Sequence, residues 1–204
     1  MLPSQNLIVF FKSPELGKVK TRLAAEIGAQ NACTVYRELF SITKSASEEW
    51  CGKKTNRKVV FYGSGDSSLW PSLGLNSVKW QYGADLGLRM ENAIREELNY
   101  ADQICIIGTD LPNMSKDILE NAFAKLNHNK NVFGPALDGG FYLYGTKDLP
   151  VNCFTDIPWS DEYTLKKTCR RLEGMHCDYS FIDTYRDVDT LSDLELFPNL
   201  KYEN

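Results

Sequence analysis

The sequence lacks any apolar run close to the ~20 residues that a membrane-spanning helix requires. Its N-terminal apolar stretch, residues 7–11, is short and leads into charged residues rather than into a signal-peptide cleavage site. We therefore expect no membrane span and no secretory signal, and we expect the protein to be cytoplasmic.

Residues that build soft-metal sites are sparse or badly spaced. The chain has two histidines and six cysteines, and no two cysteines form the C-x-x-C pair that is typical of zinc sites. Without a secretory signal, we expect the six thiols to be reduced rather than paired in disulfides. His128 and His176 have no evident partner, and we expect neither to take part in chemistry.

An excess of positive charge is also missing. The formal net charge is −4, which argues against a nucleic-acid-binding surface. The 204 residues, 43% of them hydrophobic, are enough for one α/β domain with a substantial core. No linker, repeat or low-complexity segment divides the chain, and we expect a single domain over residues 1–204.

Strand and helix patterns alternate up to about residue 130. Strands are predicted at residues 7–11, 58–62, 78–81, 103–107, 131–133 and 141–144, and helices at 32–50, 90–98 and 115–126. This alternation predicts a mostly parallel sheet with helices on both faces. Residues 150–158 are less regular and are expected to form an excursion.

A loop rich in positive charge follows the first predicted strand. Its basic residues are Lys12, Lys18, Lys20 and Arg22. It is not a Walker A loop, because Val19 stands where that motif has a serine or threonine, and the dinucleotide glycine pattern is absent. On a mildly acidic protein, Lys20, Thr21 and Arg22 favour a small phosphate-bearing ligand. The alternative is a solvated loop that only keeps the protein soluble.

An aspartate follows the fourth predicted strand, in the sequence Gly108-Thr109-Asp110-Leu111-Pro112. A carboxylate at this place points into the crevice where open α/β sheets bind ligands. Magnesium commonly takes one or two protein carboxylates together with substrate phosphates, and Asp110 suits that role. The alternative is an aspartate that only caps a helix or a turn.

Three further segments carry weaker signals. Asp187 and Asp189 share a face of an extended segment, where one could be a second metal ligand, or both could serve a helix start capped by Thr190 and Asp193. The segment at Asp138, Gly139 and Gly140 permits close approach to a ligand, but a hairpin turn explains it equally well. Gly87 and Arg89 lie in a glycine-containing loop that could receive a base or ribose, or could be a plain loop.

Six segments, taken in order, resemble a bacterial family. They are KSPELGKVKTRL, GADLGLRM, GTDLPNMS, GPALDGGFYLYG, FTDIPWS and RDVDTLSDL. The family belongs to the GT-A, nucleotide-diphospho-sugar transferase-like superfamily. Its members are associated with radical-SAM/selenodomain proteins, and some are arsenosugar-pathway glycosyltransferases. The chain is also similar, more distantly, to the guanylyltransferases of molybdenum-cofactor and F420 biosynthesis.

The resemblance implies a Rossmann-like GT-A fold with a nucleotide at the strand ends and Mg²⁺ or Mn²⁺ as cofactor. It implies catalytic roles for Lys20, Arg22 and Asp110, and metal ligation by Asp110 and Asp189 with Asp187 beside them. The implied nucleotide-binding residues are Lys12, Gly17, Lys20, Thr21, Arg22, Gly87 and Arg89, and the implied acceptor-side residues are Asp138, Gly139 and Gly140. The superfamily's D-x-D motif is reduced here to Asp110.

Three functions remain open from the sequence. The family resemblance favours a glycosyltransferase that uses a nucleotide sugar and a small-molecule acceptor. The basic loop favours a nucleotidyltransferase that uses a triphosphate and releases pyrophosphate, because more negative charge has to be balanced. The reduced D-x-D motif is compatible with a nucleotide-binding protein that has lost catalysis.

Overall fold

The computed structural model describes residues 2–159, 161–200 and 202; the last residue of the FTDIPWS segment, at position 160, lies outside them. In this part of the chain seven strands form one sheet: β1 Gln5–Lys12, β2 Arg57–Ser64, β3 Lys79–Trp80, β4 Gln103–Ile107, β5 Asn131–Pro135, β6 Phe141–Thr146 and β7 Tyr179–Phe181. The same residues form six α-helices: α1 Thr21–Ile27, α2 Ala29–Cys51, α3 Leu86–Leu98, α4 Lys116–Leu126, α5 Thr164–Gly174 and α6 Leu191–Leu194.

The strand order across the sheet is β3-β2-β1-β4-β6-β5-β7. Strand β6 is antiparallel to both of its neighbours, and every other pairing is parallel. The carboxyl ends of all strands except β6 therefore meet along one side of the sheet, called here the carboxyl edge. In open α/β sheets this edge is where ligands bind.

Helices cover both faces of the sheet. Because neighbouring residues of a strand point to opposite faces, Leu7 and Ile8 of β1 belong to different parts of the core. Leu7 packs in the cluster that contains Trp50 of α2 and Phe123 of α4. Ile8 packs in the cluster that contains Ile94 of α3. The predicted mostly parallel sheet with helices on both faces is confirmed.

The structure confirms several local predictions. Strand β4 has the predicted bounds, and the Ser115 side chain accepts a hydrogen bond from the Ile118 amide at the start of α4. Thr190 and Asp193 form the predicted capping box at α6. The sequence did not predict helix α5 or strand β7, whose residues are more polar than those of the inner elements.

Candidate functional site at the carboxyl edge

The basic loop places two successive side chains on opposite sides of the backbone. Val19 is buried against Cys33 and Tyr36 of α2. Lys20 then takes a left-handed conformation, with φ 47° and ψ 48°, immediately before α1 begins. This conformation is uncommon for a residue other than glycine, and such strain is concentrated at functional sites. Its consequence is that the Lys20 side chain enters the carboxyl edge while Val19 anchors the loop.

Tyr36 fixes the point where β1 becomes the basic loop. Its hydroxyl donates to the Lys12 carbonyl at 2.6 Å and accepts from the Lys12 amide at 3.0 Å. Burial raises the pKa of Tyr36 to about 12, so this hydroxyl stays protonated. The sequence identified Tyr36 only as part of a helix face. Its hydrogen bonds to the end of β1 depend on tertiary structure and leave no local sequence pattern.

Lys18 differs from the other basic residues of the loop. Its ammonium lies 2.5 Å from Glu15 Oε2, and Glu15 Oε1 accepts a hydrogen bond from the Asp66 amide at 3.0 Å. Glu15 therefore both neutralises Lys18 and ties the loop to the turn after β2.

Lys20 is the centre of the candidate site. Its ammonium pairs with Asp110 Oδ1 and lies 3.0 Å from Asp189 Oδ1. The Lys20 side chain is 3% exposed, whereas those of Asp110 and Asp189 are 45% and 44% exposed. Burial alone would lower the pKa of Lys20, but the charges and hydrogen bonds of the two carboxylates outweigh burial and raise that pKa above its ordinary value. The ammonium therefore stays charged.

Asp187 adds a third carboxylate. Its Oδ1 is buried and accepts no hydrogen bond from any residue that the structure describes. Burial, together with the negative charges of Asp110, Asp138 and Asp189, raises the pKa of Asp187 to about 8, although Lys20 acts in the opposite direction. A buried acceptor without a donor is rare and calls for an explanation, such as a bound ion. We call Lys20, Asp110, Asp187 and Asp189 the Lys20 cluster.

Backbone contacts hold the two parts of the Lys20 cluster together. The Val188 amide donates to the Asp110 carbonyl at 3.1 Å, which joins the segment after β7 to the loop after β4. The Asp193 side chain accepts from the Asp189 and Thr190 amides at 3.3 and 3.1 Å. The capping box therefore also fixes Asp189, and its capping and site roles are compatible.

The arrangement of ligating groups explains what the cluster can bind. Within the described ranges, no three His, Cys, Asp or Glu side chains form a ready-made metal site. The Lys20 ammonium lies between the carboxylates of Asp110 and Asp189 instead. The oxygen donors of the three aspartates and the unpartnered Asp187 atom nevertheless suit a hard divalent cation, which prefers carboxylate ligands.

Four other predicted nucleotide-binding residues lie in the basic loop and at its two ends. Gly17 has φ 72° and provides the left-handed turn of the basic loop. Thr21 and Arg22 are the first two residues of α1, and both are exposed. Lys12 is also exposed, at the end of β1. Lys12 and Arg22 therefore remain accessible to an incoming anion.

The predicted acceptor-side residues form the turn between β5 and β6. Asp138 Oδ1 accepts from the Gly140 amide at 2.9 Å, and Gly139 has φ 90°. A Cβ at Gly139 would overlap the backbone of Glu162, and the Leu165 amide donates to the Gly139 carbonyl at 2.9 Å. This turn is thus packed against the start of α5, while Asp138 is exposed.

Gly87 and Arg89 lie in the first turn of α3, so their predicted placement in a loop was wrong, and both make contacts within the protein. Gly87 is buried, and a Cβ there would lie 2.8 Å from the Phe154 carbonyl oxygen and 2.9 Å from the Trp159 ring. Arg89 Nε donates to the Gly83 carbonyl at 3.0 Å. The predicted excursion at residues 150–158 therefore packs onto the start of α3, a contact that the sequence did not reveal.

Two further expectations concern the cysteines and membrane-spanning helices. Each of the six cysteines is a free thiol. Across the described ranges, no helix is long and apolar enough to cross a membrane.

The fold is the Rossmann-like α/β fold found in nucleotidyl and nucleotide-sugar transferases. A family described as "Uncharacterized protein conserved in bacteria (DUF2064)" matches residues 51–161, more than half of the 204 residues. The chain belongs to this family. A comparison with curated proteins found no match.

Solved structures resemble the chain over nearly its whole length. A protein from Desulfovibrio desulfuricans G20, provisionally described as a nucleotide-diphospho-sugar transferase, is 26% identical with a TM-score of 0.86, covering 96% of this chain and 86% of that one. A 4-diphosphocytidyl-2C-methyl-D-erythritol synthase from Anaerococcus prevotii DSM 20548 is 8% identical with a TM-score of 0.60, covering 95% and 96%. The manganese complex of Rv0371c from Mycobacterium tuberculosis H37Rv is 12% identical with a TM-score of 0.56, covering 95% and 97%. The two more distant structures show the fold alone.

Proposed function

We propose that the chain is a divalent-metal-dependent glycosyltransferase that moves a sugar from a nucleotide sugar to a small-molecule acceptor. By its fold and its 26% identity to the Desulfovibrio protein, it is an enzyme of the glycosyl- or nucleotidyltransferase class. Within that class we propose glycosyl transfer. The 26% identical Desulfovibrio protein supports this choice, because it is described as a nucleotide-diphospho-sugar transferase.

The Lys20 cluster is the observation that carries the proposal. It brings a buried ammonium, two half-exposed carboxylates and an unpartnered buried carboxylate oxygen to the carboxyl edge of the sheet. Concentrated charge of both signs at this edge suits a ligand that is a metal–diphosphate complex. A purely structural ion pair would not need Asp187, whose buried Oδ1 has no donor among the described residues, and burying such an atom is costly.

We assign the metal to Asp110 and Asp189, with Asp187 as the third oxygen donor. Mg²⁺ and Mn²⁺ are both compatible with such carboxylate ligands. When bound, the cation would neutralise charge that develops on the leaving phosphate groups. The reduction of the D-x-D motif to Asp110 is then offset by the two aspartates after β7.

The chain's own cations would bind the donor phosphates. Lys12 and Arg22 are exposed and accessible, and the fork of Arg22 donors matches phosphate oxygens. Lys20 supplies a charged ammonium, and Gly17 and Thr21 shape the turn and add a hydroxyl. In glycosyl transfer, the bond between the anomeric carbon and the β-phosphate oxygen breaks. The acceptor oxygen bonds to that carbon, and the nucleoside diphosphate leaves.

The remaining predicted residues take supporting roles in this proposal. Asp138 is exposed beside Gly139 and Gly140, where it can contact an acceptor. Gly87 and Arg89 would define the nucleoside side by holding the loop before α3 in place, since both contact protein atoms directly.

Nucleotidyl transfer is the second candidate. The exposed side chains of Lys12 and Arg22, added to Lys20, give three positive charges near one strand end, which suits a triphosphate. In that reaction the α–β phosphoanhydride bond breaks, the acceptor oxygen bonds to the α-phosphorus, and pyrophosphate leaves.

Phosphorus NMR separates the two reactions. The protein is incubated with Mn²⁺ and either UDP-, GDP- and CDP-sugars or the four nucleoside triphosphates. Each donor is combined with sugar, alcohol and phosphate acceptors. The Mn²⁺ is removed before the spectra are recorded. Release of a nucleoside diphosphate from a nucleotide sugar supports glycosyl transfer, and acceptor-dependent pyrophosphate supports nucleotidyl transfer. Products unchanged by Asp110→Asn would contradict the proposed site.

Finer points of the resemblance belong to the same proposal. The six motifs support a place for this chain among the proteins associated with radical-SAM/selenodomain proteins. We also propose that residues 1–204 act as one domain. The six free thiols are consistent with a reducing, cytoplasmic location.

A further inference from the structure

The position of Lys20 conflicts with simple metal binding by its partners. Its ammonium contacts Asp110 Oδ1 and Asp189 Oδ1, so it lies where a bridging cation would lie. A divalent cation on the same two oxygen atoms would meet the positive charge of Lys20 at close range, and like charges at such distances repel strongly. Lys20 and the metal therefore compete for one place.

The position between Asp110 and Asp189 is closed by Lys20 on the protein side and accessible from solvent on the carboxylate side. Lys20 reaches it from within the protein, with its side chain 3% exposed, while Asp110 and Asp189 are each nearly half exposed. A cation from solvent can thus approach the carboxylates without crossing the core. Displacement of the ammonium would require the four-carbon side chain of Lys20 to rotate away from Asp110 and Asp189.

The Asp187 side chain offers the cluster an oxygen that Lys20 does not use. Its buried Oδ1 accepts from no donor in the part of the chain that the structure describes, although Lys20 pairs with the neighbouring Asp189. The single ammonium pairs with Asp110 and Asp189 and leaves Asp187 Oδ1 without a donor among the described residues. This oxygen is therefore available as a further ligand for a divalent cation.

We propose that Lys20 is a built-in substitute cation, which holds Asp110 and Asp189 in place until a divalent metal displaces it and which then binds the donor phosphates. This inference rests on the proposed metal and nucleotide site and adds a binding order to it. Metal alone should bind weakly, because it must expel the ammonium. The nucleotide offers the expelled ammonium a new anionic partner, so each ligand should strengthen binding of the other.

Chemical labelling of the unmodified protein tests the displacement. The N-hydroxysuccinimide ester of acetic acid acylates accessible lysine amines, and mass spectrometry measures the rate at each lysine. We expect Lys20 to react slowly in the metal-free protein, at least tenfold faster with saturating Mn²⁺, and slowly again with Mn²⁺ plus a nucleotide. Lys58, exposed at the start of β2, serves as the reference and should not change.

Metal titration of a variant provides the second test. In calorimetry without nucleotide, Lys20→Met should bind Mn²⁺ at least tenfold more tightly than the unsubstituted protein, and Lys58→Met should bind it equally well. If Lys20→Met does not fold, the labelling experiment still decides the question.

The outcomes separate this inference from the proposed function. If Mn²⁺ binds and Asp110→Asn abolishes that binding, but Lys20 labelling stays unchanged, the substitute-cation inference is wrong and the metal site stands. If Mn²⁺ does not bind to the unsubstituted protein or to Lys20→Met, both are wrong. Faster labelling with Mn²⁺ that the nucleotide reverses supports the inference.

Discussion

Lys20 Nζ lies 3.0 Å from Asp189 Oδ1, although 169 positions separate the two residues in the chain. The contact joins the loop after the first strand to the segment after the last one. It is made because β1 and β7 are parallel members of one sheet, so that both segments emerge at the carboxyl edge.

Asp110→Asn should weaken metal-dependent nucleotide binding by at least roughly tenfold, because the amide removes the charge that attracts the cation. Calorimetry with Mn²⁺ and a nucleotide sugar measures the effect. Asp148→Asn is the matched control, since Asp148 is exposed after β6, at the opposite side of the sheet. Equal affinity for the Asp110 variant and the control would remove Asp110 from the site.

Arg22→Ala should weaken a nucleoside diphosphate or triphosphate by roughly tenfold while leaving nucleoside binding unchanged, because charge-assisted contacts to phosphate would be lost. Fluorescence or calorimetric titration with matched nucleosides and nucleotides measures the difference. Lys58→Ala controls for loss of one exposed positive charge. An equal loss for nucleoside and nucleotide would indicate a structural role for Arg22.

Asp187 should make stability depend on pH. Burial raises the pKa of Asp187 to about 8, whereas an unfolded chain has its aspartates near the ordinary value of about 4. Between these values the folded state holds the extra proton, so this residue's contribution to the free energy of unfolding falls as pH rises from about 4 to about 8. Below about pH 4 the contribution is fully present.

The comparison with Asp187→Asn isolates that contribution. Denaturant unfolding at several pH values should show that the variant gains stability relative to the unsubstituted protein as pH rises toward 8, by at most about 1.4 kcal/mol per pH unit. A difference between the two proteins that is the same at every pH would show that the pKa of Asp187 is not raised.

Gly87→Ala should reduce stability by about 1–3 kcal/mol, because the added methyl group would press on the Phe154 carbonyl and the Trp159 ring. Thermal or denaturant unfolding measures the loss. Gly174→Ala, at the end of α5, is the control and should cost little or nothing, because no atom of the described residues lies within 4 Å of the added group. An unchanged midpoint for Gly87→Ala would show that this contact is loose.

The sequence predicted the inner elements well because their patterns are local. Strand β4 is a continuous apolar run with a turn directly after it, and the Thr190 capping box follows from residues three positions apart. Helix α5 was missed, although Leu165, Cys169 and Leu172 recur at helical spacing, because most of its other residues are polar. Strand β7 has only three residues and carries little pattern of its own.

The candidate site was predictable in part. Positive charge after β1 and a carboxylate after β4 indicate a site at one sheet edge, since strand ends converge there. Asp187 and Asp189 could not be placed at that edge from strand order, because β7 was not predicted. The sequence could not show that Lys20 takes a left-handed conformation and pairs with two carboxylates, because that geometry depends on packing of Val19 and on distant backbone contacts. The packing of Gly87 against Phe154 likewise depends on tertiary structure.

Calorimetric titration of the protein with a panel of nucleotide sugars, with Mn²⁺ and then with a chelator, tests the central claim most directly. The Lys20 cluster predicts that at least one nucleotide sugar binds in the presence of Mn²⁺. The chelator and Asp110→Asn should each weaken that binding by at least roughly tenfold. Binding that neither the chelator nor the substitution changes, or no binding to any member of the panel, would contradict a metal-dependent nucleotide-sugar site at Lys20, Asp110 and Asp189.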